Sequence, residues 1–181
     1  MIDYFKYHWQ QTEEDQHVVE CMKNAFLILD VGCGFNQYKK YAKNPQYFIG
    51  IDIANEDADE VIDIIDFKTD KIFDLIICYG SINFYDEKWV EDRLEKVVNL
   101  LDDTPGSRIC MKVNPGNPHA DGTMLEFFPW TMEYLEDISA KYGLVIENFR
   151  TKGSTGGRFK FDFVRSDYPY QKQAEDIYAF V

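Results

Sequence analysis

The sequence lacks paired cysteines, long apolar runs and an excess of basic residues, and each absence excludes a class of protein. Its four cysteines, Cys21, Cys33, Cys78 and Cys110, are widely spaced and include no Cys-x-x-Cys pair. A zinc site built from closely spaced ligands is therefore not predicted, and we expect the cysteines to be buried thiols. No metal ligand is assigned from the sequence.

Charge and hydropathy exclude two further kinds of partner. The formal net charge of −13 disfavours nucleic acid, because neutralising its phosphates needs clustered Lys and Arg side chains. One local exception is the basic strip that contains Arg150, Lys152, Arg158 and Lys160. No apolar run approaches the roughly 20 residues of a membrane span, and the N-terminus lacks a signal-peptide pattern. We therefore expect no membrane partner and a cytoplasmic location.

Length and composition indicate a single domain over residues 1–181. A chain of 181 residues with 45% apolar side chains can bury a full core, and little remains for a separate substrate domain. We expect an aromatic N-terminal segment and helix over residues 1–24, a core over 25–165 and a tail over 166–181.

The chain is organised around residues 26–38, FLILDVGCGFNQY. An apolar run leads into Asp30, then Gly32 and Gly34, which predicts a strand, a glycine turn and a helix. Glycines suit such a turn because the backbone reverses tightly and a cofactor must approach a main chain free of side chains. The next apolar run ends in Asp52, where a carboxylate can bind both ribose hydroxyls. Together the two stretches predict a nucleoside site.

The spacing of these residues leaves alternatives open. A dinucleotide fingerprint would place a third glycine at position 37, which is Gln37, so a pyrophosphate cradle is disfavoured. A nicotinamide-dependent Rossmann enzyme is therefore one alternative, and a glycine turn without a nucleotide in an ordinary α/β domain is another.

An acid, two spaced glycines and a second acid at the end of strand two form a pattern that resembles the class I S-adenosylmethionine-dependent methyltransferases. The first motif is Leu29-Asp30-Val31-Gly32-Cys33-Gly34, and Phe73-Asp74-Leu75-Ile76 resembles the opening of the family's fourth strand. This resemblance covers about residues 25–165. It implies an α/β, three-layer, Rossmann-like fold with a seven-stranded, mostly parallel sheet and one antiparallel strand. It also implies S-adenosyl-L-methionine as the cofactor.

The resemblance further implies cofactor contacts. Asp30 would orient the glycine loop, Asp52 would hold the ribose, and Asp63, rather than Asp66, would meet the adenine amino group. The full set of cofactor contacts that it implies is Asp30, Gly32, Cys33, Gly34, Asp52, Ile53, Asp63, Ile64, Tyr79 and Gly80.

Hydrophobic periodicity and turn residues place the other elements. They predict helices that begin near Thr12, after the glycine turn, at Asp86 and at Pro129. They predict strands over residues 26–29, 47–53, 61–65, 73–79, 107–113, 144–150 and 158–165. The last strand alternates strictly after a glycine-rich turn. An added antiparallel strand favours a methyltransferase fold over a nicotinamide Rossmann domain.

The sequence defines the methyl acceptor less sharply than the cofactor. A sulfonium methyl is already activated, so positioning does most of the work, and no nucleophile or base stands out. The candidate catalytic residues are His8, Asn83, Tyr85, Asn114 and His119. DNA amino-methyltransferases carry an Asp/Asn-Pro-Pro-aromatic tetrapeptide where this chain has GSINFY over residues 80–85, which argues against base methylation. A small-molecule acceptor is therefore the expectation.

Two further questions stay open at this point. Residues 1–11 include five aromatic or histidine side chains, and this segment either closes over the site as a lid or packs outside it as a structural strap. The protein could also bind S-adenosylmethionine without catalysis, or act as a protein-interaction module, and an NAD-dependent oxidoreductase is a less favoured alternative. Nothing in the sequence indicates an oligomeric state.

Overall fold

The computed structural model describes residues 14–114, 127–151 and 158–166. Its strands are β1 (Ile28–Val31), β2 (Phe48–Asp52), β3 (Glu60–Val61), β4 (Leu75–Tyr79), β5 (Arg108–Val113), β6 (Leu144–Thr151) and β7 (Phe159–Arg165). Its α-helices are α1 (Gln16–Met22), α2 (Glu87–Leu100) and α3 (Met132–Tyr142). Two short 3-10 turns, Lys39–Tyr41 and Pro45–Tyr47, lie between β1 and β2. No helix among the described residues is long and apolar enough to cross a membrane.

All seven strands form one sheet in the order β3-β2-β1-β4-β5-β7-β6. The pairs β1–β2, β1–β4, β2–β3 and β4–β5 are parallel. Strand β7 lies antiparallel between β5 and β6. The predicted seven-stranded, mostly parallel sheet with an antiparallel last strand is therefore confirmed. Its topology brings the carboxyl ends of β1, β2 and β4 to one edge, where open α/β sheets bind their ligands.

Helices cover both faces of this sheet, which gives the three predicted layers. On one face, α1 packs Val18, Val19 and Met22 against residues of β1, β2, β4 and β5. On the other face, α2 and α3 bury apolar side chains against the sheet. Strands β1 and β4 are almost wholly buried because helices cover both faces, which explains their nearly continuous apolar sequence.

Side-chain caps begin the two longer helices: α2 starts after Asp86 as predicted, whereas α3 starts at Met132, three residues after the predicted Pro129. The Asp86 carboxylate accepts a hydrogen bond from the Trp89 amide and begins α2. Thr131 caps α3 in the same way, and Gly143 ends that helix in the left-handed conformation at φ 63°. These caps satisfy backbone groups that a helix leaves unpaired at its ends.

Two predicted helices differ from the structure. Helix α1 begins at Gln16 with Asp15 as its N-cap, so Asp15 is itself the capping residue, and Thr12 lies outside the described residues. The helix expected after the glycine turn is reduced to the 3-10 turn Lys39–Tyr41. The reason is Asn36, which has φ 54°, because a residue in the left-handed region interrupts a right-handed helix.

The predicted third strand is also wrong in length. It covers Glu60–Val61 instead of residues 61–65, and both of its residues are exposed. The chain turns at Asp63, whose side chain accepts a hydrogen bond from the Ile65 amide and whose carbonyl accepts one from the Phe67 amide. A turn of this kind competes with the ladder of a sheet and ends the strand.

Several predictions fall outside the described residues. They concern the aromatic segment of residues 1–11 with His8, the loop of residues 115–122 with His119, the turn of residues 153–157 and the tail after residue 166. The lid and strap hypotheses for the N-terminal segment therefore stay predictions.

Candidate cofactor site

The glycine turn after β1 is held against the neighbouring strands. The Gly32 and Cys33 amides donate to the Ile51 carbonyl at 2.8 and 3.0 Å. Gly32 has φ +72°, and a Cβ there would lie 2.6 Å from the Cβ of Ser81, which follows β4. Glycine is required on both grounds, since L side chains rarely adopt this φ and Ser81 fills the space. The turn thus contacts both β2 and the loop after β4.

Asp52 ends β2 beside this turn and is buried. Its Oδ2 accepts a hydrogen bond from the Gly34 amide at 3.2 Å. Its Oδ1 accepts from the Ala54 and Asn55 amides at 2.8 and 3.0 Å. Burial raises the pKa of Asp52, and these three backbone hydrogen bonds oppose the rise. A carboxylate has about four acceptor positions, so the three amides leave room for a ligand hydroxyl.

Asp30 places a second buried carboxylate close to Asp52, at the carboxyl end of β1. Burial, together with the charge of Asp52, raises the pKa of Asp30 to about 8. Burial and the charge of Asp30 also raise the pKa of the Cys33 thiol. Two adjacent acids that resist ionisation form a site that favours a positively charged ligand group.

Residues that the sequence analysis missed brace the turn from the side of β2. The Asn36 amide group donates to the Asp57 carbonyl at 3.2 Å and to Asp59 Oδ2 at 3.3 Å. The same Asp59 oxygen accepts from the Gly50 amide at 2.8 Å. A Cβ on Gly50 would overlap the Asn36 side chain, so this glycine makes room for the bridge. The acidic run of residues 55–60 gave no signal of this role, since such runs are usually solvated.

Asp63, the predicted adenine contact, is paired with a cation. Its Oδ2 accepts a hydrogen bond from Arg93 Nη2 at 2.5 Å, and both side chains are largely buried. Arg93 in turn lies over the Trp89 ring, with Cζ 3.6 Å from the ring centroid. The predicted neighbour Ile64 is buried, whereas Asp66 is exposed. The contact of Asp63 with adenine stays a prediction, and Arg93 would have to share the carboxylate.

The end of β4 offers open space beside a half-buried ring. A Cβ on Gly80, which has φ +85°, would meet no atom of the described residues within 4 Å. The Tyr79 ring lies edge-on to Tyr38, with centroids 6.2 Å apart. The ammonium groups of Lys112 and Lys160 are each 5.9 Å from the Tyr79 centroid. The structure therefore places Tyr79 and Gly80 at an open edge, next to positive charge.

Two of the candidate catalytic residues contact each other. Asn83 is buried, and its Oδ1 accepts a hydrogen bond from the backbone amide of Asn114 at 2.8 Å. The Asn83 carbonyl accepts another from the Phe128 amide at 3.1 Å. These hydrogen bonds connect the segments that follow β4 and β5, and they use the side-chain oxygen and the backbone carbonyl of Asn83.

Tyr85 differs from Asn83 in its hydrogen bonding. It has φ 61°, and its buried hydroxyl has no hydrogen-bond partner among the residues that the structure describes. Its ring packs on Trp89 with centroids 5.2 Å apart. Buried polar groups are nearly always satisfied, so an orphaned hydroxyl beside a candidate site is available to a ligand.

The fold resembles that of solved methyltransferase structures. An S-adenosylmethionine-dependent methyltransferase from Clostridium acetobutylicum matches with a TM-score of 0.63 and 16% identity, covering 91% of this chain and 96% of that chain. Magnesium protoporphyrin IX methyltransferase from Synechocystis, solved with S-adenosylhomocysteine, matches with a TM-score of 0.65 and 13% identity, covering 91% and 97%. The 1,6-didemethyltoxoflavin-N1-methyltransferase of Burkholderia thailandensis matches with a TM-score of 0.60 and 14% identity, covering 79% and 72%.

The chain therefore has the class I S-adenosylmethionine-dependent methyltransferase fold. No protein-family model matches the sequence, and no curated protein matches it. With identities between 13% and 16%, the similarity establishes the fold, and the activity has to be argued from the site.

Proposed function

We propose that this chain binds S-adenosylmethionine and transfers its methyl group to a small-molecule acceptor. The observation that carries the proposal is the pair of buried carboxylates, Asp30 and Asp52, beside a glycine turn that packs against β2 and the loop after β4. S-adenosylmethionine presents a sulfonium, an ammonium and two ribose hydroxyls. Such a ligand favours the ionised form of the paired acids, whereas the pyrophosphate of a dinucleotide would oppose their ionisation.

Each acid has a separate task in this proposal. Asp52 would accept a hydrogen bond from one ribose hydroxyl at the acceptor position that its three amide partners leave, and binding of both hydroxyls would displace one of these amides. Asp30 would balance the ammonium group, directly or through water, and would ionise as that positive charge arrives. Asp63 and Ile64 would meet the adenine end. Gly34, which like Gly32 has no side chain, would let the cofactor approach the main chain of the turn.

The chain's own contribution to methyl transfer is positioning. The bound cofactor supplies a methyl group on positive sulfur and leaves as a neutral thioether, so strong acid or base groups are not required. Of the candidate residues, Tyr85 is the best placed to contact the acceptor, because its buried hydroxyl has no partner among the described residues. Asn83 and Asn114 hold each other and would position the two loops. Roles for His8 and His119 rest on the sequence alone.

A small-molecule acceptor is supported by the size of the chain and by its structural neighbours. The match to magnesium protoporphyrin IX methyltransferase, whose substrate is a small molecule, covers 91% of this chain and 97% of that enzyme. The match to 1,6-didemethyltoxoflavin-N1-methyltransferase, which was solved with the small molecule 1,6-didemethyltoxoflavin bound, covers 72% of that enzyme. The strongly acidic composition disfavours nucleic acid as the acceptor.

Calorimetric titration with S-adenosylmethionine, S-adenosylhomocysteine and NAD tests the cofactor. We expect the first two to bind, and Asp52→Ala to weaken both. The matched control is Asp103→Asn, which removes a carboxylate with a side chain that is 92% exposed. A screen of metabolite pools with methyl-labelled cofactor then tests transfer.

Each outcome separates two hypotheses. Tighter binding of NAD than of S-adenosylmethionine would refute the cofactor assignment in favour of an oxidoreductase. Cofactor binding without labelled product across the pools would favour a protein that binds S-adenosylmethionine without catalysis. Label in protein or nucleic acid fractions alone would contradict the small-molecule acceptor.

A further inference from the structure

Four side chains of metal-ligating type meet on the α1 face of the sheet, and none of them belongs to the cofactor site. They are His17 and Cys21 of α1, Cys110 of β5 and Asp162 of β7. One ligand atom from each lies within 4.8 Å of the ligand atoms of the other three. Nitrogen, sulfur and carboxylate oxygen are the ligand atoms that Zn²⁺ takes in proteins.

The fold brings these four residues together through two simple relationships. His17 and Cys21 are four positions apart on α1, so they lie on the same face one turn apart. Cys110 and Asp162 are directly paired across the antiparallel strands β5 and β7, so they point to the same face of the sheet. Because α1 packs on that face, the two pairs meet. Sequence separation hid this cluster, and His17-x-x-x-Cys21 was its one local signal.

We propose that His17, Cys21, Cys110 and Asp162 bind a divalent cation of the zinc class. In a tetrahedral site with a Zn–S bond of about 2.3 Å and a Zn–N bond of about 2.0 Å, the bonded sulfur and nitrogen atoms are about 3.5 Å apart. The observed separation of Cys21 Sγ and His17 Nε2 is 3.6 Å. This pair is therefore already at the spacing that a shared metal requires.

Asp162 has one oxygen in use and one available. Its Oδ2 contacts His17 Nε2 at 2.6 Å, Arg108 Nη1 at 3.2 Å and Asn148 Nδ2 at 2.8 Å. Its Oδ1 is buried and has no hydrogen-bond partner among the described residues. Arg108 and Asn148 fix the carboxylate in the way that outer-shell groups orient metal ligands. A metal would bind the orphaned Oδ1 and would replace Oδ2 as the partner of His17 Nε2.

Charge balance also favours a divalent cation here. Two thiolates and the Asp162 carboxylate carry three negative charges, and a divalent metal together with Arg108 supplies three positive ones. Buried charges are tolerated only when they are paired, so the metal-bound cluster is close to neutral where an ionised metal-free cluster would not be. Solvent can reach the cluster, since the His17 side chain is 21% exposed and Cys21 is half-buried.

Titration of the reduced, metal-free protein with Co²⁺ tests the proposal. A tetrahedral site with two thiolates gives visible d–d bands and a near-ultraviolet sulfur-to-cobalt band, and we expect both to saturate at one equivalent. Zinc should then displace the cobalt and abolish the bands. Cys21→Ser should remove the sulfur band at least in part, and Cys21→Ser combined with His17→Gln should remove the visible bands.

The matched control is Cys78→Ala, which removes a thiol as buried as that of Cys110 from the other face of the sheet and should leave the titration unchanged. Circular dichroism of each variant keeps the test independent of folding, and Cys110→Ala is used only if its spectrum is native. Zinc should raise the melting temperature of the parent and of Cys78→Ala, and not that of the double variant, because a ligand that binds only the folded state stabilises it.

Absence of cobalt bands in the folded parent would overturn the proposal and leave a metal-free hydrogen bond between His17 and Asp162. Equal bands in the parent and in the double variant would overturn it too, since the metal would then bind elsewhere. The titration needs no S-adenosylmethionine, so its result does not depend on the proposed activity.

Discussion

The Asp52 carboxylate accepts a hydrogen bond from the Gly34 amide at 3.2 Å, although the two residues are 18 positions apart in the sequence. The residue predicted to hold the ribose therefore also holds the glycine turn in place. Amides of Ala54 and Asn55 converge on its other oxygen. Binding and local stability are thus linked in one side chain, and variants of Asp52 have to be examined for both.

Asp52→Ala should weaken cofactor binding and destabilise the free protein. The change leaves three backbone amides without their acceptor, and each unsatisfied buried group costs about 1–3 kcal/mol where water cannot replace it. Urea unfolding measures the stability loss, and calorimetry with S-adenosylhomocysteine measures the affinity. Asp52→Asn, which keeps one oxygen acceptor, should lose less stability than Asp52→Ala. An Asp52→Ala protein as stable as the Asp103→Asn control would show that the hydrogen bonds from these amides do not contribute to stability.

Gly32→Ala should destabilise the fold through both strain and overlap. The left-handed φ of +72° costs an L residue about 1–2 kcal/mol, and the new Cβ would lie 2.6 Å from the Cβ of Ser81. Gly106→Ala is the matched control, since Gly106 has φ +91° and open space around its Cβ position. Urea unfolding should show the larger loss for Gly32→Ala. Adding Ser81→Gly should recover part of it, and no recovery would mean that overlap with Ser81 is not the cause.

Asp15→Ala should unfold the first turn of α1 and lower global stability. Asp15 accepts a hydrogen bond from the His17 amide and pairs with Lys160 at 2.6 Å. Burial opposes ionisation, but the Lys160 hydrogen bond and these other contacts lower the pKa of Asp15 to about 2. This stabilisation is present above the ordinary pKa of an aspartate and is lost as pH falls towards 2.

The loss of the N-cap alone in Asp15→Ala should cost about 0.5–2 kcal/mol, and the loss of the pair with Lys160 adds to it. Urea unfolding at neutral pH and near pH 3 should show a smaller difference between parent and variant in acid. Glu20→Gln is the control, because that carboxylate is exposed on the same helix and pairs with Lys23, its one salt-bridge partner within the described ranges. A difference that does not shrink in acid would contradict the ionic part of the argument.

The sequence predicted the sheet and the two longer helices well because local signals specify them. The alternation before Arg165, the Asp86 and Thr131 caps and the Gly143 stop each depend on residues close in the chain. The third strand failed because the apolar run after Val61 also permits an Asx-type turn at Asp63, and the choice depends on tertiary partners. Local patterns carry no information on such competition.

The candidate site was predictable only in part, for a related reason. Asp30 and the motif glycines have characteristic spacing, and the structure places them at the expected edge of the sheet. The contacts made by Asn36 and Asp59, and the pairing of Asp63 with Arg93, join segments that are distant in sequence. No periodicity or spacing specifies them, because they arise only when separate elements are packed together.

The raised pKa of Asp30 predicts a pH-dependent stability of opposite sign to that of Asp15. Burial and the charge of Asp52 raise this pKa to about 8, so the folded protein holds a proton that the unfolded chain releases above about pH 4. Between these two values the folded state binds more protons, and stability therefore falls as pH rises, by up to about 1.4 kcal/mol per pH unit. Asp30→Asn should remove this slope and become relatively more stable than the parent towards pH 8.

The same group predicts how cofactor binding responds to pH. If a cationic ligand ionises Asp30, binding releases a proton, and the affinity for S-adenosylmethionine should rise as pH increases towards 8 and then level off. Calorimetry in buffers of different ionisation enthalpy counts the released proton directly. Asp30→Asn should bind more weakly and release no proton, whereas Asp103→Asn should match the parent in both respects. If Asp30→Asn still releases a proton on binding, the proton comes from another group, and the role given to Asp30 is contradicted.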